Sequence, residues 1–225
     1  MIRVPILCDA SRTVSIKGIT LNRNEPFKIC FAGYIDGKKE GFDILLEAIS
    51  NISTQRTIEL YLYGILTGNN KRALWNLAAT FGLSDKVHYM GNIDPDALLN
   101  EFSKYHLLIL PRPLRPQTKY GFSTKLSEYL LSGVPVLLTD VSDNSLYIKD
   151  NYNGFMVEPG SLSSMSEKIS DIIATFNENS GRIGLNALET ARHNFDYKLY
   201  TNSLVDFLFK SVVKKSDKRV KTEQS

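Results

Sequence analysis

The sequence predicts an α/β domain: a doubly wound parallel sheet of about six strands, followed by helices alone. Three observations predict it. Short apolar runs alternate with amphipathic stretches between Phe27 and Val157. Several of those runs, such as Leu107–Leu110 and Val134–Leu138, have no polar face, as strands covered on both sides require. From Leu162 onward only helical spacing remains. The arrangement is Rossmann-like.

Each element follows in order. Phe27–Ala32 reads as the first strand, ending at Gly33, and Phe42–Ile49 as a helix with apolar residues three and four apart. Thr57–Tyr63 is a strand ended by Gly64, and Arg72–Phe81 a helix stopped by Gly82. Lys86–Met90 is a strand ended by Gly91; Pro95–Phe102 is a helix with Asp94 as N-cap. Leu107–Leu110 is an apolar strand stopped by Pro111. A helix over Ser123–Leu131, closed by Ser132-Gly133, leads into the strand Val134–Thr139, and Gly154–Val157 is a last short strand. Three helices follow, Met165–Phe176, Arg182–Asn194 and Tyr197–Val213. Residues 1–26 form a lead-in in which Val4–Leu7 is the one strand candidate. Residues 27–196 make the ligand-binding domain, 197–213 a terminal helix, and 214–225 a polar, basic tail without periodicity, read as disordered.

Composition removes several classes of function. Apolar residues make up 43% of the 225, too many for a disordered chain of this low charge. No apolar run approaches the roughly 20 residues of a spanning helix, and no secretory leader is visible, so a cytoplasmic protein is the expectation. Lys+Arg 27 against Asp+Glu 24 is too nearly balanced to predict nucleic-acid binding. Two cysteines, Cys8 and Cys30, suit neither a disulfide framework nor a metal site, and His88, His106 and His193 lack metal-ligand spacing, so no metal is expected. No Gly-x-Ser-x-Gly elbow suggests a hydrolase.

Ligands of open parallel sheets bind beyond the carboxyl ends of the strands. Here Gly33, Gly64 and Gly91 occupy three such ends, where a bare backbone admits close approach; tight turns alone would explain any one of them. The loop Gly33–Gly41 carries Lys38 and Lys39 just before a helix, a candidate anion site, but it is neither a Walker loop nor a G-x-G-x-x-G fingerprint. The stretch Lys119–Val136 says more. It enters a helix through Ser123-Thr124-Lys125, offering backbone N–H groups and a cation to a phosphate. Glu128 follows one turn on, placed to accept hydrogen bonds from vicinal hydroxyls. The Pro-stiffened loop Arg112–Gln117 reads equally as a ligand contact or as plain surface.

Taken together, Gly33…Lys39-Glu40-Gly41, Val87–Gly91, Leu108–Pro111, Glu128-Tyr129…Gly133-Val134-Pro135-Val136 and Asn153-Gly154-Phe155…Glu158-Pro159 resemble one pattern in order and spacing. It is that of the C-terminal, donor-binding domain of retaining GT-B glycosyltransferases, the family 4 or glycosyl transferases group 1 type. The resemblance runs from Phe27 to about Asn194. It implies a glycosyltransferase donor domain that moves a hexosyl-type sugar from a nucleotide-sugar to a glycan or lipid-linked acceptor, in cell-surface polysaccharide synthesis and without a metal. Carried across, Lys39 neutralises the diphosphate, and the backbone around Gly91 and Asn92 holds the base. Ser123, Thr124 and Lys125 cradle the distal phosphate and Glu128 binds ribose. The implied donor site also takes in Gly33, Tyr34, Gly64, Tyr120, Gly121, Phe122 and Leu126, with Lys125 and Lys39 acting on the reacting phosphate.

The chain departs from that pattern in three ways. Tyr120 stands where the family's first motif glutamate lies, eight residues before Glu128, and Tyr34 where an arginine is frequent. The chain's length matches one of two facing domains, so the resemblance implies an N-terminal partner half; the alternative is a catalytically silent nucleotide- or partner-binding fragment. In a complete enzyme the last helix would cross back onto that half, so in this chain its apolar residues Leu199, Leu204, Phe207, Leu208 and Val212 are expected to stand partly exposed, a candidate partner surface. The basic tail has the charge to touch the inner face of an anionic membrane, though a solvated terminus is the simpler reading.

Overall fold

A computed structural model describes residues 4–12, 19–36 and 40–209. Six parallel strands form one sheet: β1 (Phe27–Tyr34), β2 (Ile58–Ile65), β3 (Val87–Gly91), β4 (Leu107–Leu110), β5 (Val136–Thr139) and β6 (Phe155–Val157). Their order is β3-β2-β1-β4-β5-β6, so the winding reverses between β1 and β4. Every residue of β4 and β5 is buried, which explains runs without a polar face. The intervening helices are α1 (Phe42–Asn51), α2 (Gly68–Thr80), α3 (Pro95–Glu101), α4 (Pro116–Tyr120), α5 (Leu126–Leu131) and α6 (Asn144–Tyr147). Asp94 caps α3 as its sequence predicts, its carboxylate accepting the Asp96 N–H at 2.8 Å.

Four expectations are corrected. Residues 165–194 are not two helices but part of one, α7 (Leu162–Asn194). Its Asn-Glu-Asn-Ser-Gly stretch at 177–181 looks like a break, and Gly181 costs about 1 kcal/mol relative to alanine. Packing overrides that cost. The Asn177 amide exchanges two hydrogen bonds with the backbone of Leu21, at 2.8 and 3.0 Å, and Gly184 comes so close to the turn after α5 that a Cβ there would lie 2.0 Å from the Gly133 carbonyl oxygen. Second, the helix expected from Ser123 begins only at Leu126. Third, the proline-rich loop contains α4, whose Pro116 sits in the first turn where its missing N–H is not needed. Fourth, Val4–Leu7 is not a strand; the lead-in instead makes a single bridge at Cys8, whose N–H donates to Phe195 O and whose carbonyl accepts from Tyr197.

The last helix covers 198–209 among the described residues and leaves Leu199, Phe207 and Leu208 half or more exposed, while Leu204 is half-buried. Val212 and the tail 214–225 lie outside the described residues. No described helix is long and apolar enough to cross a membrane.

The base of the sheet holds a pH-sensitive element. His106 is buried and sandwiched between Phe27 and Phe176, and its Nδ1 accepts the Lys28 N–H at 2.9 Å. Burial pushes its pKa down to about 4. The unfolded chain therefore takes up this proton first, and the histidine's contribution, complete above its ordinary value, is lost as pH falls toward the folded one. Between about pH 7.5 and about pH 5 this is expected to cost roughly 2 kcal/mol of unfolding free energy. His106→Asn, which keeps an acceptor but does not titrate, should flatten that part of a urea-unfolding pH series; an unchanged slope would refute the assignment.

Candidate functional site

The site is built by divergence of strands. β1 pairs with β2 along its whole length, but with β4 only at Ile29↔Leu107 and Cys30↔Leu108. Beyond Cys30 the ladder on that side stops, and the backbone of Ala32 needs other partners. Tyr129, fully buried on α5, supplies them: its hydroxyl accepts the Ala32 N–H at 2.7 Å and donates toward the Ala32 carbonyl at 3.3 Å. The tyrosine in the Glu128-Tyr129 motif is thus a wedge that holds α5 against the opened end of β1. This leaves its neighbour Glu128 on the half-exposed side of the helix.

A cleft of about 240 Å³ opens at these strand ends. Ala32, Gly33 and Tyr34 come from β1, and Tyr63, Gly64 and Ile65 from β2. Asn92 and Ile93 follow β3, Pro95 and Leu98 belong to α3, and Lys125 stands at the N-cap of α5. Gly64 is required here: its φ is +119°, and a Cβ would fall 1.9 Å from the Gly33 carbonyl oxygen. The floor is bare backbone, one wall is apolar, and among the described lining residues Lys125 carries the sole formal charge. Lys125 Nζ is 3.2 Å from Glu128 Oε2, with both side chains about 30% exposed. Its apolar wall is held from behind, where the Tyr63 hydroxyl donates to Glu101 at the end of α3 at 2.8 Å and shares a 2.6 Å hydrogen bond with Tyr105. From the lead-in, Arg12 reaches the first turn of α3, 3.2 Å from Pro95 O and 3.0 Å from Asp96.

The structure therefore brings together Gly33, Tyr34, Gly64, Asn92 and Lys125, with Glu128 attached through Lys125 and Gly91 at the strand end beside Asn92. Others are placed differently. Leu126 is wholly buried and serves the core. Phe122 packs on Tyr147 and Phe195, at 5.7 and 6.0 Å between ring centroids. Tyr120 is 81% exposed, with Lys119 against its ring, and Thr124 is exposed. Gly121 lies close under the end of α4, a Cβ there falling 2.5 Å from Gln117 O. Ser123 is buried and its hydroxyl has no partner among the described residues. Lys39 lies outside the described residues.

Some residues escape sequence reasoning. The apolar wall of Ile65, Ile93, Pro95 and Leu98 is one; Ile65, apolar and just past a strand-ending glycine, was its available signal. The ion pair of Glu40 with Arg112 is another. Glu40, 3% exposed, precedes the Gly41 cap of α1, and Arg112 holds it through Nε at 2.9 Å and Nη2 at 3.4 Å. Arg112, one of the two readings of its loop being a ligand contact, is thus committed to a buried carboxylate. Thr139 anchors the same loop, donating to Arg112 O at 2.6 Å. Among the described residues no group of three or more His, Cys, Asp or Glu side chains is placed to hold a metal.

Comparisons with known proteins agree with this architecture. Residues 26–175 match the family described as glycosyl transferases group 1. An uncharacterized glycosyltransferase of Methanocaldococcus jannaschii is 23% identical over 146 residues, 65% of this chain and 35% of that protein. Sucrose-phosphate synthase from Thermosynechococcus elongatus superposes with a TM-score of 0.76 at 20% identity, covering 92% of this chain and 52% of its own. Anabaena Alr3699/HepE, solved in complex with UDP and glucose, gives 0.68 at 20% identity, covering 82% and 48%. The C-terminal domain of a group 1 glycosyl transferase, LpcC of Francisella tularensis, gives 0.63 at 19% identity, covering 76% and 87%. The fold is shared with these GT-B glycosyltransferases, and the chain spans about a third of the curated relative's length and about half of the first two solved chains.

Proposed function

Because the chain belongs to the glycosyl transferases group 1 family, we propose that the cleft beyond β1 and β2 binds the nucleotide-sugar donor of a sugar transfer. The observation that carries this reading is the placement of Lys125, paired with Glu128, at the rim of a glycine-floored cleft. A diphosphate needs cationic and backbone N–H partners at close range, and a ribose needs an acceptor for two hydroxyls. The apolar wall offers a face to a base. HepE, a neighbour of the same fold, was solved with UDP in place, which supports a nucleoside diphosphate as ligand.

In this reading the bond between the sugar's anomeric carbon and the distal phosphate oxygen breaks. An acceptor hydroxyl, on a glycan or lipid carrier, forms the new bond and passes its proton to the departing phosphate, with retention at the anomeric carbon. Negative charge grows on the leaving phosphate, so Lys125 stabilises the transition state more than the ground state; Lys39 is assigned the same task from its motif. A partner half of comparable size would orient the acceptor. Charge neutralisation is assigned to lysines, so binding should persist in excess chelator. Exposed Tyr120, at the family's carboxylate position, favours a second reading, donor binding without turnover; sugar transfer would exclude it.

The test is thermal. A nucleoside diphosphate about 100-fold above its Kd should stabilise the chain by roughly 2.7 kcal/mol. Lys125→Ala and Glu128→Ala should each remove most of that response and leave the unliganded Tm nearly unchanged. If both variants respond like the parent, the site is elsewhere.

A further inference from the structure

We propose that the Lys125–Glu128 pair is a charge latch that makes the cleft select nucleoside diphosphates against free pyrophosphate. This rests on the donor-site reading above and adds the specificity rule that the geometry of the unliganded site implies. Lys125 is the sole formal charge among the described lining residues, yet its ammonium lies 3.2 Å from Glu128 Oε2. Among the described lining residues the unliganded cleft therefore presents a neutral pair, not a free cation.

An anion entering alone meets two obstacles. It must draw Lys125 away from its partner, and it then sits beside an uncompensated carboxylate that repels it. A ligand that joins a vicinal diol to a diphosphate meets neither. Its hydroxyls donate to the Glu128 oxygens as the ammonium turns to the phosphate, so each member of the pair exchanges one partner for another. The exchange is easy because pairs three residues apart on a helix, both members about 30% exposed, hold weakly. A buried pair would be locked. Discrimination of this kind works by building a penalty against the wrong ligand as well as contacts to the right one.

The latch has a signature that ordinary loss of a contact does not share: removing the carboxylate moves two affinities in opposite directions. Kd values for inorganic pyrophosphate and for whichever of UDP, GDP and ADP binds best are measured by calorimetry, in the parent chain, Glu128→Gln and Glu128→Ala. Both substitutions should strengthen pyrophosphate binding about threefold to tenfold and weaken the nucleoside diphosphate about tenfold or more. Lys125→Ala should weaken both ligands. Pyrophosphate affinity that stays level or falls in both Glu128 variants overturns the latch, whatever the nucleotide does. A parent chain that binds no nucleoside diphosphate, but whose pyrophosphate affinity rises in the Glu128 variants, would sink the donor reading and leave the charge pairing standing.

Discussion

Gly64→Ala is expected to cost about 3 kcal/mol or more of unfolding free energy. Two penalties combine. A φ of +119° is strained for any residue with a side chain, by roughly 1–3 kcal/mol. The new methyl would also stand 1.9 Å from the carbonyl oxygen of Gly33, a backbone atom of the neighbouring strand that cannot rotate away. Gly33 and Gly64 are register partners at the mouth of the cleft, so relief requires β1 and β2 to part where the ligand would sit. The urea midpoint should fall with little change in m. Gly68→Ala is the control. That glycine opens α2 with nothing within 4 Å of the added methyl, and alanine there should be neutral or stabilise by about 0.5 kcal/mol. Equal effects at the two positions would show that the close approach of the strand ends is not real.

Arg112→Ala should be as damaging, for an electrostatic reason. Glu40 is 3% exposed, and the guanidinium of Arg112 is bound to both its carboxylate oxygens. Deleting the arginine strands a buried negative charge, a loss of about 3–5 kcal/mol. Removing the charge as well should restore much of it, so Glu40→Gln with Arg112→Ala is expected to be more stable than Arg112→Ala alone. The four variants form a double-mutant cycle read by urea unfolding. A double variant no better than Arg112→Ala would mean that Arg112 matters through packing and not through its charge.

Most of the sheet was legible because its signals are local. Five of the six strands lie where apolar runs end in glycine, proline or threonine, β6 being followed by Glu158, and the family's motifs mark the ends that line the cleft. What escaped depends on contacts far apart in the chain. Glu40 and Arg112 are 72 residues apart, and neither looks buried in its own segment. Residues 177–181 look like a helix break, and only the partners of Asn177 and Gly184 show why the helix continues. Ser123 looks like a helix cap, yet the helix starts three residues later and its hydroxyl is buried without a partner among the described residues. By contrast α4 had a readable signature in Pro116 and Thr118, since Thr118 Oγ1 accepts the Arg115 N–H at 2.9 Å. In the site, Glu128 and Lys125 were readable as types at a spacing. Their pairing, and Tyr129 as the wedge behind them, needed three dimensions.

The close approach of Gly184 to Gly133 gives α7 a mechanical character. A helix of 33 residues runs roughly 50 Å, and about two-thirds of the way along Gly184 lies against the backbone of Gly133. Near its start Ser166 reaches Ala48 O on α1; just past its end, the Phe195 ring lies against Phe122 in the loop that carries Lys125. One rigid element thus touches α1, the turn after α5 and the loop before Lys125. A side chain at Gly184 would have to push that element off the Gly133 carbonyl, so its cost would fall on contacts at all three places and not at the turn alone.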